Sequence, residues 1–336
     1  MRQVWITKKG GPEVLRVLEA QDPEPGPGEL RVRVRAAGVN FADTMARLGL
    51  YPQAPKLPCV VGYEVSGVVD KAGPGAPDAR VGEKVIALTS FGGYSDVVCV
   101  PADRALKFPQ RLSFAQAAAL PVQWLTAWHM LVELANVRKG QRVLVQAAAG
   151  GVGTAVLQIC KRIGAEVIGT ASPGKHQKLR ELGITHAIDY ANFDSRVLEL
   201  TGGRGVDVAL DAVGGASFKR SYRALAPAGK LVMFGASAAT PGMKFQPLAA
   251  LGMVASLPIF FPMQMLNANK GVFGVNVGTL FGEDVLLKRE LAEILSGVEE
   301  GAFTPLVDLE VPFAEAPRAH RRLGERANFG KVLLVP

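Results

Sequence analysis

Val143-Leu144-Val145-Gln146-Ala147-Ala148-Ala149-Gly150-Gly151-Val152-Gly153-Thr154 is the stretch from which the rest of the chain can be read. Its first residues are apolar and branched, as in a strand buried on both faces. Thr154–Ile163 then carries Val156, Leu157, Ile159, Cys160 and Ile163 at helical spacing. A buried strand, a turn of small residues and a helix bring backbone N–H groups and the positive end of the helix dipole to one point, which suits a phosphate. Ala148 stands where the common fingerprint has its first glycine. Gly150, Gly151, Val152 and Gly153 complete the turn, and Gly153 lets the helix pack close to the strand. A glycine-rich turn alone is a weak signal, so its weight comes from what flanks it.

Outward from that turn, strand and helix patterns alternate. Arg142–Gln146 is followed by strand patterns at Glu166–Thr170, Ala187–Asp189, Val206–Leu210, Lys230–Phe234 and Val272–Val275, with a helix over Lys175–Leu182 ended by Gly183. This alternation predicts an α/β fold, a doubly wound parallel six-stranded sheet with helices on both faces. In such sheets the dinucleotide lies across the carboxyl ends of the strands. That places Phe234, Gly235 and Ser237, and also Gly274, Val275 and Asn276, as backbone partners for a carboxamide. An enzyme that prefers NADH carries a carboxylate about 20 residues beyond the turn, against the ribose hydroxyls. Here the region reads Thr170-Ala171-Ser172-Pro173-Gly174-Lys175-His176. A hydroxyl and an ammonium suit the 2′-phosphate of NADPH. The blander reading is that Lys175 and His176 merely open a solvated helix. Tyr190 is a further candidate for the phosphate end, or a core aromatic.

The residues before Pro121 differ in character. Short alternating runs at Leu30–Ala36, Val65–Asp70 and Lys84–Leu88 lie between Gly/Pro turns such as Pro23–Gly28 and Gly73-Pro74-Gly75. They predict a β-rich, barrel-like domain. From about Gly278 the order is helix, strand, helix, strand, too short for a core of its own and expected to pack onto the first domain. The expected domains are therefore 1–122 with 278–336, and 123–277.

The chain has 336 residues and a net charge of +8, with basic residues spread along its length. Arg31, Arg33 and Arg35 alternate onto one strand face. No nucleic-acid signature accompanies the charge. Cys59, Cys99 and Cys160 make no paired spacing, so a cytosolic protein without disulfides is expected. Leu248–Leu266 is the most apolar stretch, but Pro258 and Pro262 interrupt it and no membrane span is expected. It reads as a buried or subunit-interface segment. The four histidines form no nucleophile–base pattern, and no Gly-x-Ser-x-Gly elbow exists.

Gly38-Val39-Asn40-Phe41-Ala42-Asp43, Pro58–Gly67, the Ala-Gly-Gly-Val-Gly turn and the Gly330–Pro336 ending together resemble the medium-chain dehydrogenase/reductase superfamily, over essentially the whole chain. The likeness is to its zinc-free quinone oxidoreductase branch, called zeta-crystallin-like. Asn40–Tyr51 and Leu266–Lys270 particularly resemble the sub-branch of the synaptic-vesicle amine-transport protein homologues. The resemblance implies a GroES-like β-rich catalytic domain joined to a Rossmann domain, and a homodimer. The superfamily's zinc alcohol dehydrogenases carry a ligand cysteine where this chain has Asn40, and a ligand histidine where it has Tyr63. They also carry a cysteine cluster for a structural zinc. An amide and a phenol are poor substitutes for a thiolate and an imidazole, so no metal is expected.

Without a Lewis acid, hydride transfer suits an acceptor whose own conjugation delocalises the charge, given donors near the developing oxyanion. The resemblance places Asn40 against the substrate or nicotinamide ribose, Thr126 near the nicotinamide, and Lys331 near the cofactor. The bare readings of the last two are a helix threonine and a surface lysine. Tyr51, in Gly49-Leu50-Tyr51-Pro52, is a phenolic donor, a lid aromatic or a packed loop residue. The function expected is NADPH-dependent reduction of quinones or α,β-unsaturated carbonyls. An enoyl-thioester reductase and a non-catalytic lipid-, membrane- or RNA-binding protein are the alternatives.

Overall fold

The computed structural model describes residues 1–240 and 247–336, the side chains of residues 247–250 excepted. The chain divides into two compact units. Among the described residues, one holds Met1–Leu125 and Gly278–Pro336, and the other holds residues 126–240 and 247–277. Along the chain the strands are β1 (Arg2–Ile6), β2 (Leu15–Glu19), β3 (Glu29–Val39), β4 (Cys59–Val60), β5 (Glu64–Ala72), β6 (Lys84–Leu88), β7 (Val97–Pro101), β8 (Ala105–Lys107), β9 (Arg142–Val145), β10 (Glu166–Thr170), β11 (His186–Ile188), β12 (Val206–Asp211), β13 (Leu225–Met233), β14 (Gly271–Gly274), β15 (Val307–Pro312) and β16 (Lys331–Val335).

The first unit is built around β3. At one edge it pairs antiparallel with β5. At the other, Glu29–Arg33 pair with β7 and Ala37–Val39 with β16. The sheet order is β15-β16-β3-β5-β6-β8, with β7 joined to β3, and a second sheet has the order β2-β1-β4. Strict alternation drives this arrangement. Leu30, Val32 and Val34 point into the core with Val4, Ile6 and Val65, while Arg31 and Arg33 turn outward onto Asp70. Each such buried Val or Leu contributes about 1.5–3 kcal/mol relative to exposure. The C-terminal strand pair belongs to this unit, because β16 needs β3 to bury Val332 and Leu334.

The second unit is a six-stranded sheet of order β11-β10-β9-β12-β13-β14, parallel throughout. This is the doubly wound arrangement whose topological switch point lies between β9 and β12. Val143, Leu144 and Val145 of β9 are fully buried, as a central strand covered on both faces requires. Since all six strands run the same way, their carboxyl ends share one edge. The helix after β9 spans Gly151–Ile163 and begins earlier than its apolar spacing suggested, because Gly150 caps it in an extended conformation.

The apolar segment departs from the reading of it as buried. Leu251, Ile259, Phe261, Met263 and Leu266 are each more than half exposed, whereas Phe260 packs inward against Tyr222 at 5.2 Å. Residues 248–250 of that segment lie outside the described side chains.

Candidate functional site

The turn after β9 is held from behind. Thr170, the last residue of β10, donates its hydroxyl to Gln146 Oε1 at 2.6 Å and accepts from the Ala147 N–H at 3.2 Å. Ala148 N donates to the Thr170 carbonyl at 2.9 Å. Thr170 and Ala148 are fully buried, so both shape the turn from inside. Ala147 takes a positive φ of 58°, and Gly150 N closes onto its carbonyl at 2.9 Å. The helix ladder starts with Thr154 N to Gly150 O. The Val152 and Gly153 amides precede the ladder and have no intrahelical acceptor. A Cβ on Gly153 would fall within 2.5 Å of the Ala148 carbonyl carbon, so only glycine lets the helix start this close to the strand. The turn thus fits a pyrophosphate, with backbone amides and the helix dipole facing it.

The other candidates line the same edge. Phe234 N bonds the Asp211 carbonyl at 3.0 Å, Ser237 N the Ala212 carbonyl at 3.1 Å, and Val275 N the Met233 carbonyl at 2.8 Å. These bonds fix Phe234 and Ser237 against the end of β12, and Val275 against the end of β13. Gly235 is another close approach, since a Cβ there would meet the Ala212 carbonyl oxygen at 2.7 Å. Ser172 is exposed after β10, with Lys175 partly buried behind it and Tyr190 partly buried beyond β11. The sequence shows no carboxylate in that stretch, but the fold brings one nearby. Asp189 Oδ1 lies 3.5 Å from His176 Nε2, and that ring also meets the Ala171 carbonyl at 3.0 Å.

Asp211 was not foreseen. It is fully buried, accepts from the Val213 N–H at 2.8 Å and the Ser217 and Ser221 hydroxyls at 2.7 and 2.6 Å, and so fixes the chain after β12. The Val213-Gly214-Gly215 run with serines one and two turns on was the available signal. Thr126 is buried and belongs to the second unit.

The first unit holds a buried polar cluster around Asn40, at the end of β3. Asn40 Nδ2 donates to Glu64 Oε1 at 2.9 Å, and Lys331 Nζ donates to Asn40 Oδ1 at 2.7 Å. Lys331 also forms an ion pair with Glu64. Glu64 Oε2 accepts from the Val122 N–H at 2.6 Å. Lys331 is 1% and Glu64 0% exposed, so the lysine is an interior residue. Burying such a pair is tolerable only because every charged atom is matched. Three residues after Asn40, Asp43 Oδ2 accepts from the Asn40 N–H at 2.8 Å and Asp43 Oδ1 from the Gly62 N–H at 3.2 Å. Tyr51 meets Tyr63 edge-on at 6.4 Å, and Tyr63 packs against Phe91 and Phe281 at 5.0 and 5.8 Å. Burial raises the Tyr63 phenol well above its ordinary range, and the neighbouring Asp43 charge adds to the shift. Glu64 was read in the sequence only as a family marker, and nothing local betrays its pairing with Lys331.

A zinc ion does not fit these residues. The Asn40 carbonyl is held by an ammonium, and the Tyr63 phenol is kept protonated within an aromatic cluster. Neither supplies the anionic sulfur or imidazole nitrogen that zinc takes. Among the described residues, no group of three or more His, Cys, Asp or Glu side chains could hold a metal.

Residues 26–110 match the alcohol dehydrogenase GroES-like domain, and residues 151–283 match the zinc-binding dehydrogenase family. The synaptic vesicle membrane protein VAT-1 homolog of Rattus norvegicus is 38% identical, covering 100% of this chain and 84% of the rat protein. The chain belongs to the medium-chain dehydrogenase/reductase superfamily. Its quinone oxidoreductase branch is represented by the Pseudomonas aeruginosa quinone oxidoreductase, 35% identical over 100% of this chain and 99% of that protein. The structure of Escherichia coli quinone oxidoreductase complexed with NADPH superposes with a TM-score of 0.87 at 32% identity, covering both chains fully. Membership of this superfamily makes the chain an oxidoreductase by class, with a GroES-like unit and a Rossmann unit.

Proposed function

We propose that this protein reduces quinones or α,β-unsaturated carbonyls with NADPH, without zinc. The observation that carries the reading is Asn40. The position where the zinc branch has a ligand holds instead an amide fixed on two sides by Lys331 and Glu64. A neutral donor of that kind stabilises charge already spread over an enolate or quinol oxygen, which is enough for a conjugated acceptor.

NADPH would be held by the Ala148–Gly153 turn at its pyrophosphate, by Ser172, Lys175 and Tyr190 at its 2′-phosphate, and by the Phe234–Ser237 and Gly274–Asn276 backbone at its carboxamide. Bound there, it supplies a hydride. Asn40 donates to the acceptor oxygen, Tyr51 covers the acceptor or donates to it, and Thr126 meets the nicotinamide. Solvent protonates the product. The E. coli quinone oxidoreductase complexed with NADPH supports the cofactor assignment. We further propose a homodimer, as the resemblance implies, with the exposed apolar side chains of Leu251, Val254, Ile259, Phe261, Met263 and Leu266 as the surface a second copy would cover.

The test is NADPH oxidation with 1,4-benzoquinone, 9,10-phenanthrenequinone, a 2-alkenal and crotonyl-CoA, in the presence of a chelator. Turnover with the quinones or the alkenal is expected. Turnover confined to the thioester would move the protein to enoyl reductases. Tight NADPH binding with no turnover of any acceptor would make it a binding protein.

A further inference from the structure

Resting on that reading, we propose that Lys331 and Glu64 are positioning residues that lock one orientation of the Asn40 amide, so that Asn40 meets the acceptor oxygen only as an N–H donor. The chemistry of the pair dictates the orientation. An ammonium has three donors and no acceptor, so the Asn40 atom 2.7 Å from Lys331 Nζ must be the carbonyl oxygen. A carboxylate only accepts, so the atom 2.9 Å from Glu64 Oε1 must be the amide nitrogen. Turning the amide over would set N–H against ammonium and oxygen against carboxylate. One Nδ2 hydrogen is bound to Glu64, and the second is the donor offered to a ligand.

Two further observations support the assignment. Lys331 and Glu64 are sealed at 1% and 0% exposure, whereas Asn40 is only partly buried. Asn40 is therefore the member of the three that a ligand can reach, and Lys331 acts through it. The position of Glu64 is also built into the backbone. Its carboxyl lies over Gly38, where a Cβ would fall 2.6 Å from Glu64 Cδ, so β3 carries glycine at the one point where this side chain crosses it. Glu64 Oε2 is filled by the Val122 N–H, which leaves the carboxylate an anchor and not a proton donor.

The experiment uses three variants of the full chain: Asn40→Ala, the charge-neutral double variant Lys331→Met with Glu64→Gln, and the triple combination. Removing both charges together avoids stranding one of them in the interior. In the apo protein, a TROSY spectrum should show an Asn40 side-chain amide with one hydrogen-bonded, slowly exchanging proton, assigned by its loss in Asn40→Ala. In the double variant that proton should move to an ordinary asparagine position. With NADPH and 1,4-benzoquinone, the double variant should lose kcat by up to the roughly 10²–10³-fold that removing one such donor costs, with the NADPH Kd unchanged. The triple variant should be no slower than Asn40→Ala, because the pair acts only through that amide. Multiplicative losses, or wild-type turnover in the double variant, would overturn the proposal. So would an unprotected Asn40 amide in the wild type, a result that does not require the double variant to fold. If the wild type shows the locked amide but reduces no acceptor, the orientation stands and the parent reading of the function fails.

Discussion

Tyr94 donates its phenolic hydrogen to Asp43 Oδ2 across 2.9 Å, and its oxygen lies 3.3 Å from His320 Nε2. With the phenol's one hydrogen given to Asp43, the imidazole donates to the phenol oxygen. All three side chains are fully buried. Burial pushes the Asp43 carboxyl up to about 7, despite the bonds it accepts from Asn40 and Tyr94. Burial, followed by the nearby Arg47 charge, pulls His320 down to about 3.

These two groups should oppose each other in the pH dependence of stability. Asp43 rises from 3.8 unfolded to about 7 folded, so between those values the native state holds a proton that the unfolded chain lacks, and stability falls as pH rises. His320 drops from 6.5 unfolded to about 3 folded, so between those values the unfolded chain holds the extra proton, and stability rises with pH. From about pH 4 to 6.5 the slopes cancel. Urea unfolding of the wild type should be nearly flat there. Asp43→Asn should uncover a rise, and His320→Gln a fall, each of at most about 1.4 kcal/mol per pH unit. Flat profiles in both variants would show that the two groups do not titrate as described.

Gly153→Ala should strain the phosphate turn. Its Cβ would meet the Ala148 backbone, which cannot swing away as a side chain can. A destabilisation of about 1–3 kcal/mol is expected, with a weaker NADPH Kd in calorimetry. An unchanged melting temperature and Kd would contradict the close packing of helix on strand.

Ser172→Ala and Lys175→Met should weaken NADPH and leave NADH nearly unaffected, because only the 2′-phosphate calls on them. Loss of one charge-assisted bond, about 1.5–3 kcal/mol, corresponds to roughly tenfold or more in Kd. Parallel calorimetry with the two cofactors measures the ratio. An equal loss for both would place these residues away from the 2′-phosphate and point to Asp189 as a ribose partner.

What the sequence made legible was what is local. β6 and β10 fall where alternation and apolar runs put them, and the Ala148–Gly153 turn is contiguous. β13 starts at Leu225, ahead of its apolar run, because Ala228 takes a positive φ and the register against β12 shifts near Val206 and Val208. No apolar period reports such an irregularity. The polar clusters were hidden for a different reason. Lys331 and Glu64 stand 267 residues apart, and Tyr94 and His320 226. A lone ionisable residue in a sequence reads as solvated until the fold supplies its partner. Leu248–Leu266 shows the converse limit, since apolar content does not distinguish a residue buried in its own chain from one left for another surface.

That segment provides a further check. Ile259→Asp with Phe261→Ser should convert a dimer into a monomer in sedimentation velocity without lowering NADPH affinity, since both side chains lie exposed on the single chain. A wild type that sediments as a monomer would contradict the dimer directly.

The proposed reaction is direct hydride transfer from NADPH to a conjugated acceptor without a metal. It is tested most directly by incubating the chelator-treated protein with NADPH deuterated at the nicotinamide C4 and a 2-alkenal, then locating the label by mass spectrometry. One deuterium is expected on the β-carbon of the saturated aldehyde, from one face of the nicotinamide only. A product without label, or activity that returns only when zinc is added back, would contradict it.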